Sequence, residues 1–517
     1  MNSTPQPDAA PVVGAEKPGH GMLVELKHLV KHTSTYSFGN ILGKMVGFFM
    51  IPFYTHYLSP ADYGTLELLD LSLALMGLVL TMWMNASIIR HYYDYDNPKD
   101  RNQAISTILI VALGIGAAMA FCGVHFSRPL SQLILKTPDL HYYVSLIALS
   151  FLMTCVRVVS TSYLRAGQRS VFIVSYEMVL LVVTLSLNIY FIAIRHIGVL
   201  GVLYSSLIAN TLVAVVLTAN TIHEIGLSFS YQKLKQVVVF GAPLVMTSIA
   251  AFTVNFSDRF FLRHFSTIDN VGIYALGYKF AFMLSFLVVQ PFDMIWAARM
   301  YEIAKRDDSG RMFSKFFEYY CLALVAVAFG ISVVIRDVIN VISPDSFHTA
   351  YKVVPVVALA YVFQGMNRYF LTGSYIAKKT LHLGVIGAAS AAANIGLNFL
   401  LIPRYGMMGA AWATAVSFLV MAALAYMVSQ RAYAIPYAFS RVTMLIILAA
   451  LLYLGSVLIP VSSAALAMLV KVLFLAAFPV VLYKAGFFHR REVEIAREAA
   501  SALAARYGLR MVAASGR

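Results

Sequence analysis

Charge is scarce in this sequence. Only 12% of its 517 residues are Asp, Glu, Lys or Arg, against about 25% in an ordinary globular chain. A water-soluble body of this length must cover its surface with polar groups, and the shortage excludes one. Cysteine is scarcer still. Cys122, Cys155 and Cys321 each sit inside an apolar run, which excludes a disulfide framework and makes them packing residues. The zinc-binding His-Glu-x-x-His, the phosphate-binding Gly-x-x-x-x-Gly-Lys and the nucleophile elbow are all missing. Neither a metal nor a cofactor is expected, and the chain is not expected to be an enzyme.

What is plentiful is apolar sequence, 60% of the total. A spanning helix needs about twenty mostly apolar residues. Runs of that kind lie near 36–57, 67–89, 104–126, 141–164, 171–194, 199–220 and 236–257. Seven more follow near 273–298, 317–336, 353–375, 382–402, 408–429, 442–460 and 463–483. The expected fold is therefore all-α, a polytopic membrane protein of about fourteen transmembrane helices. The first twenty residues are proline-rich and lack a hydrophobic core, so 1–32 reads as a disordered or amphipathic tail and not as a signal peptide. Residues 486–517 read as an amphipathic tail resting on lipid headgroups.

The net charge of +15 does not point to nucleic acid, because the basic residues form no single patch. Placing the N-terminus in the cytoplasm puts 26 of the 39 Lys and Arg on that side, eight outside and five within spans. The segment Arg299 to Lys315 alone carries five. This excess predicts a multi-pass protein of the cell inner membrane with both termini inside. The longest outer loops, 127–140 and 337–352, are too short for a globular domain.

The two halves resemble each other. LSPADYG at 58–64 matches FSTIDNVG at 265–272, with glycines 208 apart. Arg195-His-Ile-Gly198-Val-Leu-Gly201 matches Arg404-Tyr-Gly406-Met-Met-Gly409, with glycines again 208 apart. Each unit holds six spans, an even number, so both enter from the same side and the repeats are parallel. The expected organisation is a lobe at 33–222, a second at 233–430, and helices 13 and 14 within 441–485. A cleft between the lobes is the natural substrate path.

Two stretches carry a family resemblance. GLNFLLIPRYGMMGAAWATA at 396–415 and YLSPADYG at 57–64 resemble the signature of the polysaccharide exporter, O-antigen flippase-like family. That family belongs to the multidrug/oligosaccharidyl-lipid/polysaccharide (MOP) superfamily, and the likeness spans roughly 33–485. The resemblance implies alternating access and a lipid-linked oligosaccharide carried on undecaprenyl pyrophosphate. Membrane lipid is a further expected partner, and polysaccharide polymerase or export machinery another.

Ionisable residues within spans are costly and mark cavities or partners. The cations are Lys44, Arg157, Lys279, Arg368 and Lys471. Arg157 and Arg368 are 211 apart, near the repeat offset, and a pair of guanidinium forks suits a pyrophosphate. The alternative reading is that each ties two helices together. Lys44 and Lys279 are further cavity cations, whereas Lys471 falls outside the repeats and reads as snorkelling or packing. Among the acids, Glu177 is the preferred proton carrier. Asp70 and Asp293 are open to either role, counter-ion or coupling group. Asp258 beside Arg259 reads as a local or solvated pair at a span edge. Pro291 is expected to bend the eighth span.

Three functions compete. A flippase fits the in-span cations. A cation-coupled multidrug exporter would have a cavity dominated by acids, and a lipid II exporter is a nearer alternative. A membrane glycosyl polymerase or ligase would need a larger outer loop.

Overall fold

The computed structural model describes residues 46–379, 381–459 and 464–488. Lys44 and most of both tails lie outside the described residues. The described residues form helices and turns without a strand. Lipid enforces this outcome, because only a helix bonds its own backbone groups within one segment.

The first helix, α1, covers 46–57 and is followed by α2 (Pro60–Asp94), α3 (Pro98–His125), the short α4 (Ser127–Leu135) and α5 (His141–Ala166). Next come α6 (Ser170–Asn188), extended by a π turn at Ile189–Ile194, and α7 (Val199–Ile225). The second half holds α8 (Tyr231–Phe265), α9 (Ile268–Leu284), a π turn at Ser285–Val289, α10 (Gln290–Ile303) and α11 (Ser309–Ile342). It closes with α12 (Val354–Phe370), α13 (Thr372–Ile376), α14 (Leu381–Ala432), α15 (Phe439–Leu458) and α16 (Ala464–Lys484).

Nine helices among the described residues are long and apolar enough to cross a membrane, ten with the bent pair Asp345–Lys352 and Val354–Ile376. One of the nine, His382–Ala432, is two expected spans joined at Gly406, where φ is 54°. The remaining expected spans fall on α2 and α8, each 35 residues long, and on α1.

The chain divides into two compact units. One comprises the described residues up to Phe53, Val79–Ser127 and His141–Ala242. In it α5 packs between α3 and α7. Polar bonds knit these helices, including Ser162 Oγ to Asn85 at 2.8 Å and the Lys233–Asp100 pair at 2.9 Å. The second unit comprises Tyr54–Leu78, Arg128–Leu140 and the described residues from Pro243 on. Here α12 packs along α14 and α9, around a core that includes Tyr274, Tyr361 and Phe418. Leu451 and Leu454 on α15 and Met468 and Val472 on α16 stand exposed, as lipid-facing side chains do. Cys155 and Cys321 are buried, as packing residues should be, whereas Cys122 is exposed.

The repeated glycine motif has a shared shape. Gly198 has φ 57° and ψ −131°, and Gly406 has φ 54° and ψ −129°. That region is open essentially to glycine alone, so each unit turns one helix into the next through the same backbone form.

Candidate functional site

The site begins at two helix starts. Ser59 accepts from the backbone N–H of Asp62 at 3.1 Å, and Asp62 Oδ2 accepts from Ser59 N–H at 3.1 Å. This reciprocal cap starts α2. Thr267 caps α9 in a similar way, accepting from Asn270 N–H at 3.3 Å. One turn in, Gly64 and Gly272 lie where these helices cross. A Cβ on Gly64 would strike the Ile268 carbonyl, and one on Gly272 the Pro60 carbonyl.

The close crossing brings Tyr63 and Glu67, on the face of α2 that also carries the exposed Asp70, against α8 and α9. Glu67 links two cations: its Oε1 lies 3.8 Å from Arg259 Nε and its Oε2 3.4 Å from Lys279 Nζ. Lys279 also donates to the Tyr63 hydroxyl at 2.9 Å. Arg259 pairs with Asp258 at 2.6 Å, donates to the Asn255 carbonyl at 2.7 Å and lies 3.7 Å over the Tyr278 ring. Asp258 in turn accepts from Tyr274 at 2.5 Å and Thr414 at 3.2 Å.

Exposure grades along this chain of contacts. Arg259 and Asp258 are each 1% exposed and Glu67 11%, but Lys279 is 47% exposed. The Asp258–Arg259 pair is thus no solvated edge pair. Aromatic rings and the Thr414 hydroxyl enclose it, so the charges are satisfied inside the fold. One end of the network is sealed and structural, and the other presents a lysine outward.

In the other unit, Arg157 on α5 faces Glu177 on α6, with Nη1 3.7 Å from Oε1. Arg157 Nε is buried without a hydrogen-bond partner among the described residues. The preferred proton carrier and one of the two guanidiniums thus meet in one pair. Arg368, near the end of α12, is exposed, and it lies within electrostatic reach of Asp293. Asp293 sits two residues after Pro291, at the start of α10, directly after the π turn. A π turn followed by proline loosens the ladder of hydrogen bonds, which is how helices come to bend. Phe292 stacks on Tyr320 at 3.9 Å and Trp296 donates to Thr372 at 2.9 Å, anchoring the segment beyond. Lys471, read as snorkelling or packing, is ion-paired with Asp337 at 2.5 Å.

Sequence reasoning missed Glu67 and undervalued Arg259. Glu67 stood at the expected edge of a span, where acids are ordinary; α2 begins seven residues earlier and carries it inward. The LSPADYG motif was the available signal, because a capped start at Ser59 fixes the face on which residues 63, 67 and 70 fall. No group of three or more His, Cys, Asp or Glu placed to hold a metal occurs among the described residues.

Residues 55–352 match the family described as polysaccharide biosynthesis protein. A protein of the Lsg locus of Haemophilus influenzae is 22% identical over 296 residues, which cover 53% of this chain and 67% of that protein. Among solved structures, the lipid II flippase MurJ in an inward closed conformation matches with a TM-score of 0.73 at 11% identity, covering 88% of this chain and 99% of MurJ. An inward-facing multidrug resistance MATE family transporter of the MOP superfamily matches with a TM-score of 0.60 at 12% identity, covering 76% and 93%. At these identities the likeness is one of fold.

Proposed function

This chain belongs to the polysaccharide biosynthesis protein family and has the fold of MOP superfamily transporters; from that premise we propose that it is a flippase for lipid-linked oligosaccharide. The substrate is a sugar unit on undecaprenyl pyrophosphate, carried across the cytoplasmic membrane by alternating access, with both termini inside. Two six-helix lobes, 33–222 and 233–430, followed by helices 13 and 14, make up the transporter.

One observation carries the reading: Lys279 and Arg368 are exposed within spans. A cation there is costly in lipid, so it faces water or an anionic ligand. Lys279, Arg368 and Arg157 are each candidates to meet the pyrophosphate, whose oxygens accept guanidinium and ammonium donors well. Glu177, Asp70 and Asp293 balance these charges or carry a coupling proton. Moving two negative charges outward gains about 4.6 kcal/mol per 100 mV, inside negative, so the membrane potential favours export. Pro291 and the adjoining π turn provide the bend.

The test is a flipping assay in proteoliposomes with undecaprenyl-pyrophosphate oligosaccharide, run against lipid II and a cationic drug. Movement of the oligosaccharide lipid above both competitors supports the proposal. Preference for lipid II or for the drug overturns it in favour of the corresponding exporter.

A further inference from the structure

Within the second unit, far along the chain from the α2–α9 crossing, a polar cavity of about 620 Å³ opens among α11, α15 and α16. Arg336, Asp337, Asn340, Tyr351, Tyr453 and Lys471 line it. Lys471 is neutralised by Asp337 at 2.5 Å. Arg336 lies 5.4 Å over the Tyr351 ring, and no acid pairs with it among the described residues. Two cations against one acid leave the cavity with one positive charge over. A lysine eight residues into α16 is costly unless it is used.

A second cavity adjoins the first. It is a slot of about 390 Å³ among α11, α12, α14 and α15, and it shares Ser332 and Tyr453 with the polar one. Its walls include Phe329, Leu359, Trp412 and Leu454. A cationic chamber next to an apolar slot is complementary to a molecule with an anionic head and a hydrocarbon tail.

The geometry points to a bound anionic phospholipid. Its phosphate lies on Arg336 and Lys471, with Asn340 and the tyrosine hydroxyls as further donors, and one acyl chain fills the slot. The small slot suits a single unbranched chain better than a long branched polyprenyl. Neither cavity counts Arg157, Arg368 or Lys279 among its lining residues.

The test uses purified full-length protein in detergent, titrated separately with phosphatidylglycerol, phosphatidylcholine and undecaprenyl phosphate, and read by native mass spectrometry and by Tm. Phosphatidylglycerol is expected to bind about tenfold tighter than phosphatidylcholine, the scale of one charge-assisted contact. It should also raise Tm saturably. Arg336→Gln should erase the preference, whereas Arg299→Gln, a cation outside the cavity, should keep it. Because Lys471→Gln strands Asp337, that position is tested together with Asp337→Asn. Ala450→Phe should weaken both phospholipids by filling the slot. Equal binding of the two phospholipids by the unaltered protein overturns the inference whatever the variants do. So does a preference that survives Arg336→Gln, or tighter binding of undecaprenyl phosphate.

Discussion

Gly64 and Gly272 meet backbone to backbone, and the contact is reciprocal. A Cβ on Gly64 would approach Gly272 N to 2.9 Å, and a Cβ on Gly272 would approach Gly64 N to 2.8 Å. Each would also strike a carbonyl four residues before the other glycine, that of Ile268 or Pro60. Glycines and carbonyls alike are 208 residues apart. When i meets j and j meets i, a two-fold axis passes between them. The crossing thus joins two matching places of the sequence repeat, and Lys279 and Glu67 lie within a few turns of it on α9 and α2.

That crossing should not tolerate side chains. Gly64→Ala and Gly272→Ala are each expected to destabilise by about 1–3 kcal/mol through overpacking against rigid backbone. Gly396→Ala should be harmless, because nothing lies within 4 Å of its Cβ position. Thermal unfolding of the purified variants in detergent measures both. Equal Tm values for all three would show that the helices separate at no cost.

The sealed and open ends of the charge network should separate stability from transport. Asp258→Asn leaves the buried Arg259 without its 2.6 Å partner, a loss of about 3–5 kcal/mol for a broken buried pair. Lys279→Gln removes a half-exposed charge and should change stability by less than about 1 kcal/mol, yet export should fall sharply. Tm and a complementation assay, run on the same pair of variants, decide between these outcomes. A lysine variant that exports normally would remove Lys279 from the site.

Arg157→Ala and Arg368→Ala are each expected to abolish export while protein abundance stays near normal. Lysine at either position should restore only part of the activity, since a point charge lacks the bidentate fork. The Glu177 pairing supplies an internal control. If Arg157 only ties α5 to α6, Arg157→Ala and Glu177→Gln should lower Tm alike and the double variant should add nothing. If Arg157 binds substrate, Arg157→Ala should abolish export with Tm unchanged, whatever Glu177→Gln does to export.

The charge distribution yields a topology that accessibility can check. Single cysteines at 134, 269 and 344 should react with an impermeant reagent added outside intact cells. Cysteines at 99 and 307 should react only after lysis. Labelling of 99 from outside, or protection of 269, would reverse the expected orientation.

Much of this protein follows from its sequence. The apolar runs placed the helices, because lipid leaves the backbone no alternative to internal hydrogen bonding. The glycines at 198 and 406 announced paired turns, because only glycine occupies their backbone region without strain. The spacing of Gly64 and Gly272 revealed a repeat but not their contact. Which charges are silent and which are free was decided by tertiary structure alone. Arg259, set aside as half of a local pair, became the core of a network once the crossing brought Glu67 to it. Lys471, read as snorkelling or packing, found Asp337 134 residues away. A charge's worth depends on what encloses it and what it touches, and both are set by helices distant in sequence. Period and composition locate the spans, whereas only their packing selects the partners.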